Sequence, residues 1–211
     1  MEKQQNRILF FTGAGISKAS GIKTFNEIPG IRERLSRKYA GEHPEEFRAS
    51  LLEMMAMIEN AEPNAAHRAI AELGCPVITM NVDGLHDRAG SREVIHCHGI
   101  LPAREELYSS DFPDNIRSIA LYGDPVPAYG EAMKLVKSLE YKNSCFIIAG
   151  TSFHTSITFE LYKAAKQRRA RLIIINREAE NRVPSLIRDY ITGIRPLPSF
   201  DTTACIAKYG L

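Results

Sequence analysis

The stretch FFTGAGISKASGIKTF, Phe10 to Phe25, joins an apolar run to a glycine-rich turn, and its reading decides the fold. An apolar run that halts at glycine is the pattern of a buried strand giving way to a turn. Gly13 and Gly15 carry no Cβ, so their backbone N–H groups can approach a phosphate closely. That is the outline of a nucleotide loop. The G-x-G-x-x-G spacing fails at Lys18, and G-x-x-x-x-G-K-[ST] is absent, which disfavours an ordinary dehydrogenase or P-loop enzyme. At this point the alternative stays open that Gly13, Gly15 and Gly21 serve tight turns only.

Working outward, short apolar runs recur as RILFFTG, CPVITMN, EVIHCHG, SIALYG, CFIIAGTS and RLIIINR, and they read as buried strands. Helical spacing lies between several of them: Phe47, Leu51, Met54, Met55 and Ile58 share one face, as do Ala66, Ile70 and Leu73. Alternating strands and helices imply an α/β parallel sheet with helices on both faces. Ligands of such sheets sit beyond the carboxyl ends of the strands, where the loops GAGIS, NVDG, HG and GTS fall. Residues 26–62 and 99–117 break the alternation and are expected to form a helical insert and a longer loop. Met54, Met55 and Met57 are read as core.

At 211 residues the chain suits a single domain with a small lobe, and an apolar share of 44% excludes disorder. A net charge of +2 without a basic run gives no indication of nucleic acid or of an acidic membrane surface. The N-terminal apolar run is too short for a secretory signal or a spanning helix, so a cytoplasmic, soluble protein is expected. Cys75, Cys97, Cys145 and Cys205 form no C-x-x-C pair, so spacing encodes neither a disulfide framework nor a thiolate zinc site, and all four read as core or neutral thiols.

Three further segments carry chemistry. In HCHG, His96 and His98 point to one face of a strand and Cys97 to the other, which makes a Cys97–His98 dyad awkward. No third ligand accompanies the His-x-His pair, whereas His98, at a strand's carboxyl end, is where a general base is useful. Asn81 and Asp83 in NVDGLH either bind a polar ring substituent or cap the next helix. Gly150, Thr151 and Ser152 read either as an anion-holding helix N-terminus or as a plain cap.

Taken in order, these segments resemble the sirtuin family of NAD-dependent protein deacylases. TGAGISKASGI resembles its first NAD loop, AEPNAAHRAIAEL its P-N-x-x-H helix and TMNVDGLHDRAG its T-Q-N-I-D-G-L-H segment. VIHCHG is similar to the strand ending in the catalytic His-Gly, LYGDPVP to F-G-E-x-x-P, AGTS to the second phosphate loop and IIINRE to the ribose-binding strand. The resemblance implies a Rossmann-like fold with a reduced small lobe. It also implies a reaction in which nicotinamide leaves NAD and an acyl-lysine protein or peptide is deacylated, giving O-acyl-ADP-ribose.

Carried over by residue, His98 is the base and Asn81 orders the ribose and water. Asp83 and Ile16 hold the carboxamide, and Phe25 shields the cationic sugar from water. Gly13, Ala14, Gly15, Ser17, Gly150, Thr151 and Ser152 surround the phosphates. Asn176 and Arg177 face the adenosine ribose, and Ala120, Leu121, Tyr122 and Gly123 pair with substrate through main-chain hydrogen bonds.

The sequence departs from the family's pattern at three places. Lys23, Thr24 and Asn26 replace the proline, acid and arginine around Phe25; Met80 replaces a glutamine; and Ile100–Leu121 contains no zinc-binding cysteine, so no zinc is expected. The expected activity is therefore a zinc-free deacylase. An NAD glycohydrolase or ADP-ribosyl transferase, and a catalytically silent NAD-binding module, are the alternatives.

Overall fold

The computed structural model describes residues 8–153 and 155–191. Five strands, β1 (Ile8–Thr12), β2 (Val77–Thr79), β3 (Val94–His96), β4 (Cys145–Ala149) and β5 (Arg171–Ile175), form one sheet in the order β3-β2-β1-β4-β5. Every recorded pairing is parallel, with Phe10 opposite both Val77 and Ile147. The order reverses direction at the β1–β4 neighbours, and the crevice beyond such a switch point is where an open sheet takes its ligand.

Period-2 alternation sorts the strands onto two cores. Leu9, Phe11, Phe146 and Ile148 face one side, against Ala132 and Val136 of α6 (Tyr129–Lys137) and Leu161 and Ala165 of α7 (Ser156–Gln167). Ile8, Phe10, Ile147 and Ile173 face the other, against Ala66 and Ile70 of α4 (Ala65–Leu73) and Val183 and Leu186 of α8 (Ala179–Leu186). Phe10, Phe11 and Phe146 are completely buried, each contributing about 1.5–3 kcal/mol of apolar burial. The helix α4 starts at a capping box: the Asn64 side chain accepts from Ala66 N–H, and Asn64 N–H donates to His67 Nδ1.

Residues 26–62 hold α1 (Ile31–Arg34), α2 (Arg37–Glu42) and α3 (Pro44–Glu59). Ile31, Phe47, Leu51 and Met54 from these helices share a third core with Leu107, Ile116, Ile119 and Leu121. Arg48 of α3 ties the 99–117 loop down, its Nε donating to Leu107 C=O at 2.7 Å while its guanidinium lies 4.6 Å from the Phe112 ring centroid. The helix α5 (Leu85–Arg88) follows β2.

One expectation is corrected. SIALYG is not a sheet strand: it is an extended segment with isolated bridges, Gly99 to Ile119 and Ser36 to Tyr122. Ile119 and Leu121 are 4% exposed whereas Tyr122 is 41% exposed, so the run alternates and buries one face instead of two. The methionines read as core do belong to it, Met54 buried and Met55 and Met57 partly buried against it, and Met54 and Met57 also line the central cavity. Cys75, Cys97 and Cys145 are buried free thiols; burial pushes Cys75 and Cys97 up to about 12, which keeps them neutral. Cys205 lies outside the described residues.

Gly150 sits at φ 69°, and a Cβ there would meet Ile16 N at 2.2 Å, whereas a Cβ on Gly21, φ 86°, would meet nothing within 4 Å. Gly21→Ala is expected to cost only the left-handed penalty, about 1–2 kcal/mol. Gly150→Ala is expected to cost more, as read by thermal melting; equal losses would mean that the two loops part freely.

Candidate active site

The loops after β1 and β4 touch at the switch point. Gly13 N–H donates to Ala149 C=O at 3.0 Å, Gly15 N–H to Gly150 C=O at 2.8 Å and Gly150 N–H to Ile175 C=O at 2.7 Å. A Cβ on Gly15 would meet Gly150 C=O at 2.8 Å, so glycine is required for this approach.

Beyond the contact opens a cavity of about 1530 Å³, larger than the ~300–1,000 Å³ of a drug-sized site. Ala14, Gly15 and Ser17 line it with Gly150, Thr151 and Ser152; Asn81, Asp83 and His98 come from the ends of β2 and β3, and Asn176 and Arg177 from the end of β5. Phe25 and Ala120, Leu121, Tyr122 and Gly123 close the small-lobe side. Gly13 and Ile16 do not line it. The Ile16 side chain is fully buried, its N–H donates to Gly13 C=O at 3.0 Å, and its C=O accepts from Asn64 Nδ2 at 2.8 Å.

Under the loop lies a buried polar network. Ser17 Oγ donates to Asp83 Oδ2 at 2.6 Å and accepts from Asn81 Nδ2 at 3.0 Å. Its one proton is thereby used, so His67 Nε2, at 3.5 Å, is the donor towards it. Nδ1 of His67 accepts from Asn64 N–H at 3.3 Å, and the two bonds fix one neutral tautomer. His86 stacks edge-on against His67, ring centroids 4.9 Å apart, with Nε2 at 3.0 Å from Thr12 Oγ1. Burial lowers His67 to about 4 and, with His67 and His96 beside it, His86 to about 3.

This network orients the cavity-facing groups. Asn81 Nδ2 gives its second hydrogen to Gly13 C=O at 3.3 Å, which leaves Oδ1, an acceptor only, as the group it can offer a ligand. Asp83 Oδ1 accepts Leu85 N–H at 3.0 Å, an Asx-turn ahead of α5 on a residue that also lines the cavity, whereas Asn81 caps no helix. His98 Nδ1 lies 3.1 Å from Met80 C=O. Because a carbonyl only accepts, Nδ1 carries the proton and Nε2 keeps its lone pair. Burial lowers the His98 pKa, a shift opposed by the Met80 bond, so the neutral base form is favoured. Cys97 points into the sheet core and His96 pairs with Asp87 at 3.0 Å, so neither joins His98.

Gly150–Ser152 is not a helix N-terminus. The helix α7 starts at Ser156, because Phe153 turns inward at φ 57° and packs on Phe159 and Tyr162, with ring centroids at 5.9 and 6.3 Å. Nor does the Thr24–Asn26 change leave the loop without partners. Glu27 accepts from Thr24 N–H (3.0 Å), Thr24 Oγ1 (2.8 Å) and Lys18 (2.7 Å), which hold its carboxyl down to about 2. Arg32 of α1 donates to Asn26 Oδ1 at 2.6 Å, and both residues line the cavity.

The donor set fits a dinucleotide: glycine backbone and hydroxyls at the switch point, an amide and an arginine at the end of β5, and a free imidazole nitrogen opposite. Ile100–Leu121 contains no cysteine and is held by the apolar packing of Leu107 and Ile116. No group of three or more potential metal ligands occurs among the described residues. Sequence reading missed Thr12, Asn64, His67 and His86 as supports of the site, although P-N-x-x-H and D-G-L-H contain three of them.

A Sir2 family model matches residues 13–106. An NAD-dependent protein deacylase of Archaeoglobus fulgidus is 34% identical over 208 residues, covering 80% of this chain and 79% of that protein. An NAD-dependent protein deacetylase of Listeria monocytogenes is 31% identical, covering 83% and 87%. Among solved structures, a Sir2 protein bound to a propionylated peptide superposes with a TM-score of 0.73 at 27% identity, covering 90% of this chain and 94% of that one. A Sir2 homologue in complex with NAD gives 0.74 at 26% identity, covering 92% and 95%.

His67 and His86 fold as neutral rings with pKa values of about 4 and about 3, against ~6.5 in the unfolded chain. Their contribution is complete above pH ~6.5 and is lost as the unfolded chain takes up protons on the way down. Stability is expected to fall by on the order of 2 kcal/mol per histidine between pH 7.5 and 5. Urea unfolding at the two pH values reads the loss, and His67→Gln should flatten the slope; an equally steep slope in that variant would remove His67 from the account.

Proposed function

The chain belongs to the Sir2 family, and from that premise we propose that it is an NAD-dependent protein lysine deacylase, with NAD as co-substrate and an acyl-lysine protein or peptide as acceptor. The observation that carries the reading is His98, held by the Met80 carbonyl with Nε2 unprotonated and facing the same cavity as Asn81 and Asp83. His98 takes a proton from the ribose hydroxyls once they are engaged. Asn81 Oδ1 accepts from a ribose hydroxyl or the ordered water.

Asp83 still has free lone pairs and accepts from the carboxamide N–H₂. It takes this part without Ile16, whose main-chain groups are both engaged. Phe25, half-buried on the cavity wall, excludes water from the sugar centre once nicotinamide has left. Ala14, Gly15, Ser17, Thr151 and Ser152 surround the phosphates, with Gly13 and Gly150 supporting the loops. Asn176 and Arg177 face the adenosine ribose. Ala120, Leu121, Tyr122 and Gly123 line the acyl-lysine entrance, and residues 26–62 and 99–117 form the small lobe.

The reading includes no structural zinc, supported by the apolar packing that holds Ile100–Leu121 in place of cysteines. It also places the protein in the cytoplasm, supported by buried free thiols. No helix among the described residues is long and apolar enough to cross a membrane.

Incubation with NAD, with and without an acyl-lysine peptide, is expected to release nicotinamide only with peptide, while the peptide loses its acyl mass. Peptide-independent release would move the assignment to NAD hydrolysis or ADP-ribosyl transfer, and NAD binding without release to a silent module. His98→Ala is expected to abolish turnover and to leave NAD affinity within roughly tenfold; an active variant retires His98 as base. Phe25→Ala should divert the reaction towards water, seen as free ADP-ribose, and an unchanged product ratio would end the shielding role.

A further inference from the structure

The net charge of +2 conceals an uneven distribution. Segment 163–171, KAAKQRRAR, holds five cations and no carboxylate, a basic run that the overall balance hides. Segment 137–142, KSLEYK, adds two cations against Glu140. The helices α6 and α7 lead into the parallel strands β4 and β5, so both end at the amino edge of the sheet. The cavity lies beyond the carboxyl edge, about 16 Å away for strands of 5 residues at ~3.3 Å each.

At the amino edge Tyr141 is 46% exposed, and three cations crowd its ring. Lys142 Nζ lies 5.5 Å from the ring centroid, and the guanidinium carbons of Arg169 and Arg168 lie at 5.6 and 5.9 Å. Arg168 is fixed by its Nε, which donates to Leu139 C=O at 2.8 Å, and Lys142 N–H donates to Arg168 C=O at 3.1 Å. The two turns are thus one surface. Lys137 and Lys166 extend it from the last turns of α6 and α7. None of these five cations forms an ion pair among the described residues.

The ordinary reasons for surface cations fall short here. The negative end of a helix favours Lys137 and Lys166, but it leaves the exposed Tyr141 and its ring of cations unexplained. Lys142 and Arg169 stand at φ 65° and 53°, left-handed conformations that favour glycine. Arg169 does so just past the end of α7, where Ala170 N–H closes the helix on Ala165 C=O at 3.1 Å. A turn selected for its backbone alone would carry glycine at both positions.

We infer that this edge binds single-stranded nucleic acid, with phosphates on Lys137, Lys142, Lys166, Arg168 and Arg169 and a base stacked on the Tyr141–arginine layer. A basic surface tracks a phosphate backbone, and an aromatic or guanidinium face accepts any base. A membrane would draw on apolar area, of which this surface offers one tyrosine among the described residues. Because it stands at the opposite end of the sheet from the cavity, the surface is independent of the deacylase reading.

Fluorescence anisotropy of labelled oligo(dT) and oligo(U), each about 15 nucleotides long, with the full chain tests this. Binding of at least one is expected, and it should weaken as salt is raised from about 50 to about 200 mM. Tyr141→Ala should weaken binding about tenfold at an unchanged salt slope, because stacking releases no counterions. The double variant Lys142→Gln, Arg169→Gln should weaken it further and lower the slope by roughly 1.4, about 0.7 for each lost phosphate contact. Thermal melting and NAD binding, which neither variant should change, check the fold.

No binding of either oligomer, or binding that both variants leave unchanged, overturns the inference. So does tighter binding of polyglutamate or of phosphatidylserine vesicles, which would assign the surface to acidic protein or to a membrane. Should the double variant not fold, Tyr141→Ala alone decides.

Discussion

The structure depends on one close approach. Where β1 and β4 diverge, the Gly15 N–H meets the Gly150 carbonyl at 2.8 Å with no side chain on either residue. That contact joins the two halves of the sheet at the point where the strand order reverses. It also sets the floor of the cavity. The hydroxyls of the two loops are set around that floor, and the Asn81 amide joins them through Ser17 and Gly13.

The second layer of control is buried. Ser17 joins the loop to Asp83 and Asn81, and His67, fixed as one tautomer by Asn64, joins the loop to the start of α4. From Asn64 through His67 and Ser17 to Asp83 and Asn81 the direction of each bond follows from its neighbour, and the result reaches the cavity as an acceptor oxygen on Asn81; His86 Nδ1, beside His67, is buried without a hydrogen-bond partner among the described residues. His98 is handled separately, by a backbone carbonyl, so its proton arrangement does not depend on the network.

Much of this was legible in the sequence. Strands buried on both faces read as continuous apolar runs, and β1, β2 and β4 are such strands, while the edge strand β5 has the same kind of run with one face only partly covered. The loops at their ends named the polar groups on the sheet side of the cavity, including His98, Asn81 and Asp83. The failures have physical causes. Segment 118–123 looked like a strand because Ile119 and Leu121 are apolar, but only one of its faces is covered. Gly150–Ser152 looked like a helix start until Phe153 turned into the core. Ile16 was placed among ligand contacts, yet its side chain packs with Phe10 and Ala66. Thr12, Asn64, His67 and His86 meet only in three dimensions, and no spacing rule joins residues so far apart. The partners that Glu27 and Arg32 give to Thr24 and Asn26 were likewise invisible, being supplied from outside the motif.

The register of the sheet has a consequence for how the chain is made. During synthesis β1 emerges first and finds β2 once Val77 is available, but its other neighbour begins only at Cys145. Until then one side of the future central strand is an open edge, apolar on both faces. The loop that ends it has no floor to close against. The phosphate side of the site is thus assembled across a long loop closure, a cost that must be met before the Gly15–Gly150 contact forms. A fragment ending before β4 would carry Gly13, Asn81 and His98 but lack Gly150–Ser152, Asn176 and Arg177, which complete the cavity wall.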